Sequence, residues 1–226
     1  RFAKVLKEKN KKLNIKYLSK NELNILKVNS IERCLIKYKP KILIHNAGLS
    51  RPMSQHEEDI TKSIDLNIIG TANIVKICKK YNVKLIYFST VYVYDGIKGN
   101  FKESDPLNPI NNYGLSKLGG ECSVLMYKNS LILRLQMTEK PFQYNSAYSD
   151  LYTNFIYHEN LVSLLPKIIN KFGILNIGGK KRSVYQFAKI LNKNVNKIKL
   201  KDNSSLPPNQ TMDLNKLKKI TKNKLI

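Results

Sequence analysis

Long apolar runs are missing from this 226-residue chain. No window comes near 18 consecutive apolar residues, so no membrane-crossing helix and no membrane partner are expected. Cysteine is scarce. Cys34, Cys78 and Cys122 fall in apparent helices without metal-ligand spacing, which excludes a disulfide framework and fits buried or idle thiols in a reducing compartment. His45 and His56 show no metal spacing either, and no metal is expected. Acidic residues are few: 16 Asp+Glu against 40 Lys+Arg, a net charge of +24. Such an excess invites a nucleic-acid reading. The lysines, however, run along the whole chain, and Lys7–Lys12 and Lys216–Lys224 are the nearest approach to patches. Genomes rich in A and T raise Lys, Asn and Ile together, and no aromatic–basic interleaving is visible, so the charge reads as a solvated surface. Arg1-Phe2 does not open the charged, apolar, small-residue order of a secretory leader, and a cytoplasmic location is expected.

What is present is a βαβ rhythm. The opening RFAKVLKEKNK reads as the back half of an amphipathic helix, and Ile15–Leu18 as a short strand. Ser30–Tyr38 is a predicted helix stopped before Pro40. Strands are expected at Lys41–His45, Lys84–Phe88, Leu131–Leu133 and Ile174–Ile177. Helices are expected over Glu57–Tyr81, Asn112–Tyr127, Glu159–Asn170 (with Pro166 inside) and Ser183–Asn192, the last with Ser183 as N-cap. Loops are expected at Asp95–Ile110 and Ser204–Asn209, with a polar connector over Gln136–Asn154 and no internal repeats. The pattern predicts an α/β fold with a doubly wound parallel sheet, residues 1–135 forming a Rossmann-like domain. Residues 136–226 add its remaining elements and a small C-terminal substrate-binding lobe. In such sheets ligands sit at the carboxyl ends of the strands.

Two stretches there carry chemistry. In Tyr113-Gly114-Leu115-Ser116-Lys117, Tyr and Lys four apart share one helix face. An ammonium beside a phenol lowers its pKa from about 10 and makes it a usable proton donor near neutral pH. Alone the spacing is weak in so lysine-rich a chain. In Phe88-Ser89-Thr90-Val91-Tyr92-Val93-Tyr94-Asp95-Gly96 a buried strand delivers two hydroxyls at its carboxyl end; a strand-end turn is the plainer reading of it alone.

Taken in order, with Asn46-Ala47-Gly48 and Asn67 upstream, STVYVYDG, FKESDPLNPINN and YGLSKLGGE resemble the extended short-chain dehydrogenase/reductase family, and within it the dTDP-4-dehydrorhamnose reductase group. The likeness is densest over Ile42–Glu121 and thinner beyond. It implies reduction of a nucleotide-linked 4-keto-6-deoxy sugar in deoxysugar or polysaccharide synthesis. By position it implies that Tyr113 protonates the sugar carbonyl oxygen, that Lys117 tunes Tyr113 and meets the nicotinamide ribose, and that Thr90 orients the carbonyl. Asn46, Ala47, Gly48, Asn67, Ser89 and Lys20 would join Tyr113 and Lys117 around the cofactor, and Val91, Tyr92 and Arg134 would join Thr90 around the substrate. Ser19 stands where an acidic residue would grip a ribose 2′-OH, and Lys20 follows it, which favours NADPH over NADH.

The chain departs from the group in four places, one of them Asn24, which stands where an acidic residue would approach adenine. The Gly-x-x-Gly-x-x-Gly turn is absent, so a chain truncated at its N-terminus by about one βα turn, binding cofactor poorly, is expected. The acidic residue after the strand-end Thr is Val91, which also argues against a dehydratase. The substrate segment after Arg134 looks short. Two alternatives stay open: a related epimerase, and a non-catalytic subunit resembling the regulatory subunit of methionine adenosyltransferase. A homodimer is also left open. His158 reads as a helix-start residue, Cys122 as a packed one, and Asp213 as a helix cap or a substrate neighbour.

Overall fold

In the computed structural model, which describes all residues except Lys11, Asp202, Asn203, Ser205 and 223–226, the apolar spacing of the opening forms α1 (Phe2–Lys9), with Phe2 and Leu6 turned inward. Helix α2 (Val28–Tyr38) buries Ile31, Cys34 and Leu35, and Lys39 ends it in a left-handed conformation before Pro40. There follow β1 (Ile42–His45), α3 (Ser54–Glu58), α4 (Ile60–Ser63), a π-helical stretch over Ile64–Ile69, α5 (Gly70–Lys80) and β2 (Lys84–Phe88). A 3₁₀ turn at Val91–Val93 leads to α6 (Asn112–Leu125) and β3 (Ser130–Leu135). Short strands come next, β4 (Met137–Thr138), β5 (Ser146–Tyr148), β6 (Tyr152–Thr153) and β7 (Ile156–Tyr157), then α7 (His158–Ile168) and β8 (Gly173–Ile177). The chain continues through β9 (Arg182–Ser183), α8 (Val184–Ala188), β10 (Asn196–Ile198), β11 (Asn209–Gln210) and α9 (Asn215–Ile220).

Strands β1, β2, β3 and β8 form one parallel sheet in that order. Alternation along β2 explains why its whole run is apolar. Leu85 and Tyr87 face a core built with Ile31, Leu35, Ile74 and Ile77 of α2 and α5, while Ile86 and Phe88 face Phe2, Leu6, Leu161 and Leu165 of α1 and α7. Helices thus cover both faces, as the doubly wound expectation required. A separate small core, Ala147, Leu151, Val184, Ala188 and Val195, holds the C-terminal segments together.

Several expectations need correction. Ile15–Leu18 forms no strand: strand propensity needs a partner, and no described strand lies beside it. Strand β1 pairs with β2 alone among the described residues, and Ile42, Leu43 and Ile44 stay half-buried. The long helix over Glu57–Tyr81 is broken: Asp59 ends α3 and caps α4 by accepting from the Lys62 N–H at 3.1 Å, and the π-helical turn follows. The polar connector contains β4, β5 and β6. Cys122 is exposed, not packed; Cys34 and Cys78 are buried. Ser183 does cap α8, in a reciprocal box with Gln186. Asp213 accepts from the Asn215 N–H at 2.7 Å, at the start of α9. The expected runs and loop that include Lys11, Lys224 and Ser205 lie at those positions outside the described residues.

Candidate active site

Residues gather at the carboxyl ends of β1, β2 and β3, facing the first turns of α6. Asn111 starts α6 by accepting from the Gly114 N–H at 2.8 Å. A Cβ on Gly114 would stand 2.3 Å from the Tyr92 carbonyl oxygen, so only glycine lets α6 approach the turn after β2 this closely. That approach brings Tyr113 to Thr90.

The Thr90 side chain acts on the Tyr113 phenol, favouring the phenolate, while its own Oγ1 accepts from the Tyr92 N–H at 3.3 Å. The Tyr113 ring lies edge-on to Tyr92, with centroids 5.5 Å apart, and 5.0 Å from His56. Burial raises the Tyr113 pKa, against smaller lowering by Thr90 and Arg51. The expected lowering by Lys117 is therefore corrected: Thr90 and Arg51, not Lys117, favour the phenolate, and desolvation outweighs both. Lys117 is itself buried, with Nζ 4.2 Å from the centre of the Tyr87 ring. Burial lowers its pKa to about 7, with Glu121 pulling the other way.

Asn67, buried in the π-helical turn, ties the loop after β1 to α6. Its side chain accepts from the Leu49 N–H at 2.8 Å and donates to the Leu49 carbonyl and to Ser116 Oγ, both at 2.9 Å. π-Helical turns concentrate at functional positions. Asn46, Ala47 and Gly48 are exposed at the end of β1. Gly48 has φ +150°, and a Cβ there would come within 2.5 Å of Asn67 Oδ1.

Four expected site residues sit elsewhere than their roles require. Ser89 donates to Glu121 Oε2 at 2.6 Å, so its hydroxyl is committed beneath the cleft. Arg134 is 2% exposed and paired with Glu121, Nε at 3.0 Å and Nη2 at 2.5 Å from Oε1. It does not face a substrate as a free guanidinium. Val91 is packed in the apolar core. Lys20 is exposed in a turn where Glu22 folds back, accepting from the Ser19 N–H at 2.8 Å and the Ser19 hydroxyl at 2.9 Å. A carboxylate thus stands at the place from which its absence argued for NADPH.

Sequence reasoning missed Arg51, His56 and Gln210. Arg51 acts electrostatically on both Tyr113 and Tyr92. His56 is buried, with Nδ1 2.9 Å from Ser63 Oγ. Gln210 is buried, with Nε2 donating to the Pro207 carbonyl at 2.9 Å, and its side chain acts on Tyr92, whose pKa burial pushes up to about 12. All three come from segments remote from the motif, and no spacing announces them.

The residues present suit the nicotinamide-ribose half of a dinucleotide. Gly48 leaves bare backbone at the strand end, and the buried Lys117 amine exchanges protons near neutrality. The glycine turn that would grip a pyrophosphate is not in this sequence.

Fold and strand-end arrangement together define an extended short-chain dehydrogenase/reductase architecture. Residues 3–138 match the profile of the RmlD substrate binding domain, and the chain belongs to that family. It is similar to the dTDP-4-dehydrorhamnose reductase of Aggregatibacter actinomycetemcomitans, 30% identical over 61% of this chain and 47% of that protein. It is equally similar to the methionine adenosyltransferase 2 subunit beta of Bos taurus, 32% identical over 46% of this chain and 31% of that protein. The chain therefore spans about a third to a half of the length of these curated relatives. In fold it matches the dTDP-4-dehydrorhamnose reductase of Bacillus anthracis, solved in complex with NADP (TM-score 0.85, 23% identity, 96% of this chain and 87% of that one). The Clostridium acetobutylicum counterpart matches at TM-score 0.84, 19% identity, over 98% of this chain and 89% of that one. No helix among the described residues is long and apolar enough to cross a membrane.

Proposed function

We propose that the protein reduces a nucleotide-linked 4-keto-6-deoxy sugar in deoxysugar or polysaccharide synthesis, in the cytoplasm, with NADPH or NADH. The observation that carries this reading is that Thr90 acts on the buried Tyr113 phenol, while the buried Lys117 follows one turn along the same helix. A bound nicotinamide dinucleotide supplies a hydride. Tyr113 gives its phenolic proton to the keto oxygen, and its raised pKa keeps it in the acid form well past neutrality. Thr90 orients that oxygen by hydrogen bonding. Lys117 holds positive charge beside the ribose and the phenol. Asn67 keeps the wall of the cleft in register. Tyr92, and Arg51 from the loop after β1, shape the substrate side.

The test is oxidation of NADPH and of NADH in the presence of dTDP-4-dehydrorhamnose. Turnover with at least one cofactor is expected, falling about 10²–10⁴-fold in Tyr113→Phe. No turnover with either, by folded chain at cofactor concentrations shown to saturate it, overturns the reading. A second reading rests on the comparable identity to the methionine adenosyltransferase 2 beta subunits. It expects a stable complex with an adenosyltransferase catalytic subunit and no keto-sugar turnover.

A further inference from the structure

Glu121 stands one helical turn beyond Lys117 on α6 and is wholly buried. Burying a carboxylate is unfavourable unless its oxygens are fully partnered, and an apolar pair of similar volume often serves folding as well or better. Here the partnering is elaborate. Glu121 Oε2 accepts from Ser89 Oγ at 2.6 Å, and Oε1 accepts from Arg134 Nε and Nη2. Arg134 Nη1 donates in turn to the Tyr94 hydroxyl at 2.8 Å and to the Glu103 carbonyl at 3.1 Å. The Tyr94 hydroxyl lies 3.1 Å from Asn176 Oδ1, and Asn176 Nδ2 donates to the Phe101 carbonyl at 2.8 Å. The ends of β2 and β3, the middle of α6 and strand β8 are all joined to one carboxylate.

The surroundings of Lys117 say what that carboxylate does. Tyr113 lies on the same helix, Tyr87 beneath the amine on β2, and His45 acts on it from β1, where burial keeps the imidazole neutral. Arg134 on β3 stands behind Glu121. Of these groups only Glu121 carries negative charge at neutral pH. We propose that Glu121 is a positioning residue that keeps Lys117 in its ammonium form, with Ser89 and Arg134 fixing the carboxylate for that task. The downward pull of burial on Lys117, and the opposing pull of Glu121, agree with it. The proposal deepens the reading of Lys117 as a functional group and rests on it, so its test is made on Lys117 itself and not on turnover.

The full chain is labelled with ¹³C-lysine, and the Lys117 signal is assigned as the one missing from Lys117→Met. Its titration is then followed by NMR. A midpoint near pH 7 is expected in the unaltered chain, falling by one unit or more in Glu121→Gln. Where that variant does not fold, the double variant Glu121→Met, Arg134→Met replaces the ion pair with apolar groups and is expected to give a smaller fall in the same direction, since the guanidinium charge leaves with the carboxylate. A Lys117 midpoint unmoved in whichever of these folds overturns the proposal, because a purely structural pair would change stability and leave the titration alone. Failure of keto-sugar turnover with the midpoint still shifting would sink the reductase reading and keep this one.

Discussion

Asn67 donates its side-chain amide to Ser116 Oγ at 2.9 Å, and Ser116 Oγ in turn donates to the Tyr113 carbonyl at 2.8 Å. One buried amide therefore links the loop after β1 to the helix turn that carries the phenol. Asn67→Ala leaves the Leu49 N–H and carbonyl without their side-chain partner. A loss of about 1–3 kcal/mol is expected, the usual penalty for stranding buried polar groups, read by urea unfolding. Unchanged stability would show that the loop is held by other contacts.

Gly114→Ala places a methyl 2.3 Å from the Tyr92 carbonyl oxygen. That oxygen is backbone, so α6 has to move away from Thr90. The expected result is destabilisation of about 1–3 kcal/mol, as for overpacking, with turnover lost more steeply than stability accounts for. Equal turnover in the folded variant would contradict the close approach.

Lys117 makes stability rise with pH. Its folded pKa is about 7, against about 10.4 when unfolded. Between those values the unfolded chain binds more protons, so this group raises unfolding free energy by up to about 1.4 kcal/mol per pH unit. Below about pH 7 both states are charged and the folded one carries the whole desolvation penalty. Lys117→Met is expected to flatten the slope in denaturant titrations between about pH 7 and 10. A slope identical in both chains would mean that the amine is hydrated.

His45 acts at the acid end. Burial lowers its pKa to about 3, and its Nε2 lies 3.0 Å from Thr71 Oγ1. The unfolded imidazole protonates near pH 6.5, so stability falls as pH drops from about 6.5 towards 3. His45→Asn is expected to remove roughly 2 kcal/mol of that loss at about pH 5. Parallel acid-denaturation curves for the two chains would refute the assignment.

Much of this was readable beforehand. The apolar runs at Lys84–Phe88 and Leu131–Leu133 can only be buried strands, and strands separated by helices at βαβ spacing make a parallel sheet. Thr90, Tyr113 and Lys117 follow from local motifs, because a strand end and a helix turn are short-range structures. What was not readable depends on distance. Arg134 meets Glu121 only through the register of β3 against α6, and that pairing turns an expected substrate ligand into a buried support. Val91 looked like a cleft position and is core, since the 3₁₀ turn sends it inward. The fold-back of Glu22 onto Ser19 depends on a turn that the residue types alone did not specify. The π-helical turn at Asn67 shares its apolar spacing with an ordinary helix, so periodicity could not separate them.

The unequal exposure of the three thiols has a practical consequence. Burial pushes the Cys78 thiol up to about 12 and raises that of Cys34, so neither forms the nucleophilic thiolate readily. Cys122 is open to solvent on the helix that bears Lys117. A maleimide fluorophore is therefore expected to attach at Cys122 ahead of the two buried thiols, marking the outer face of that helix without any engineered handle.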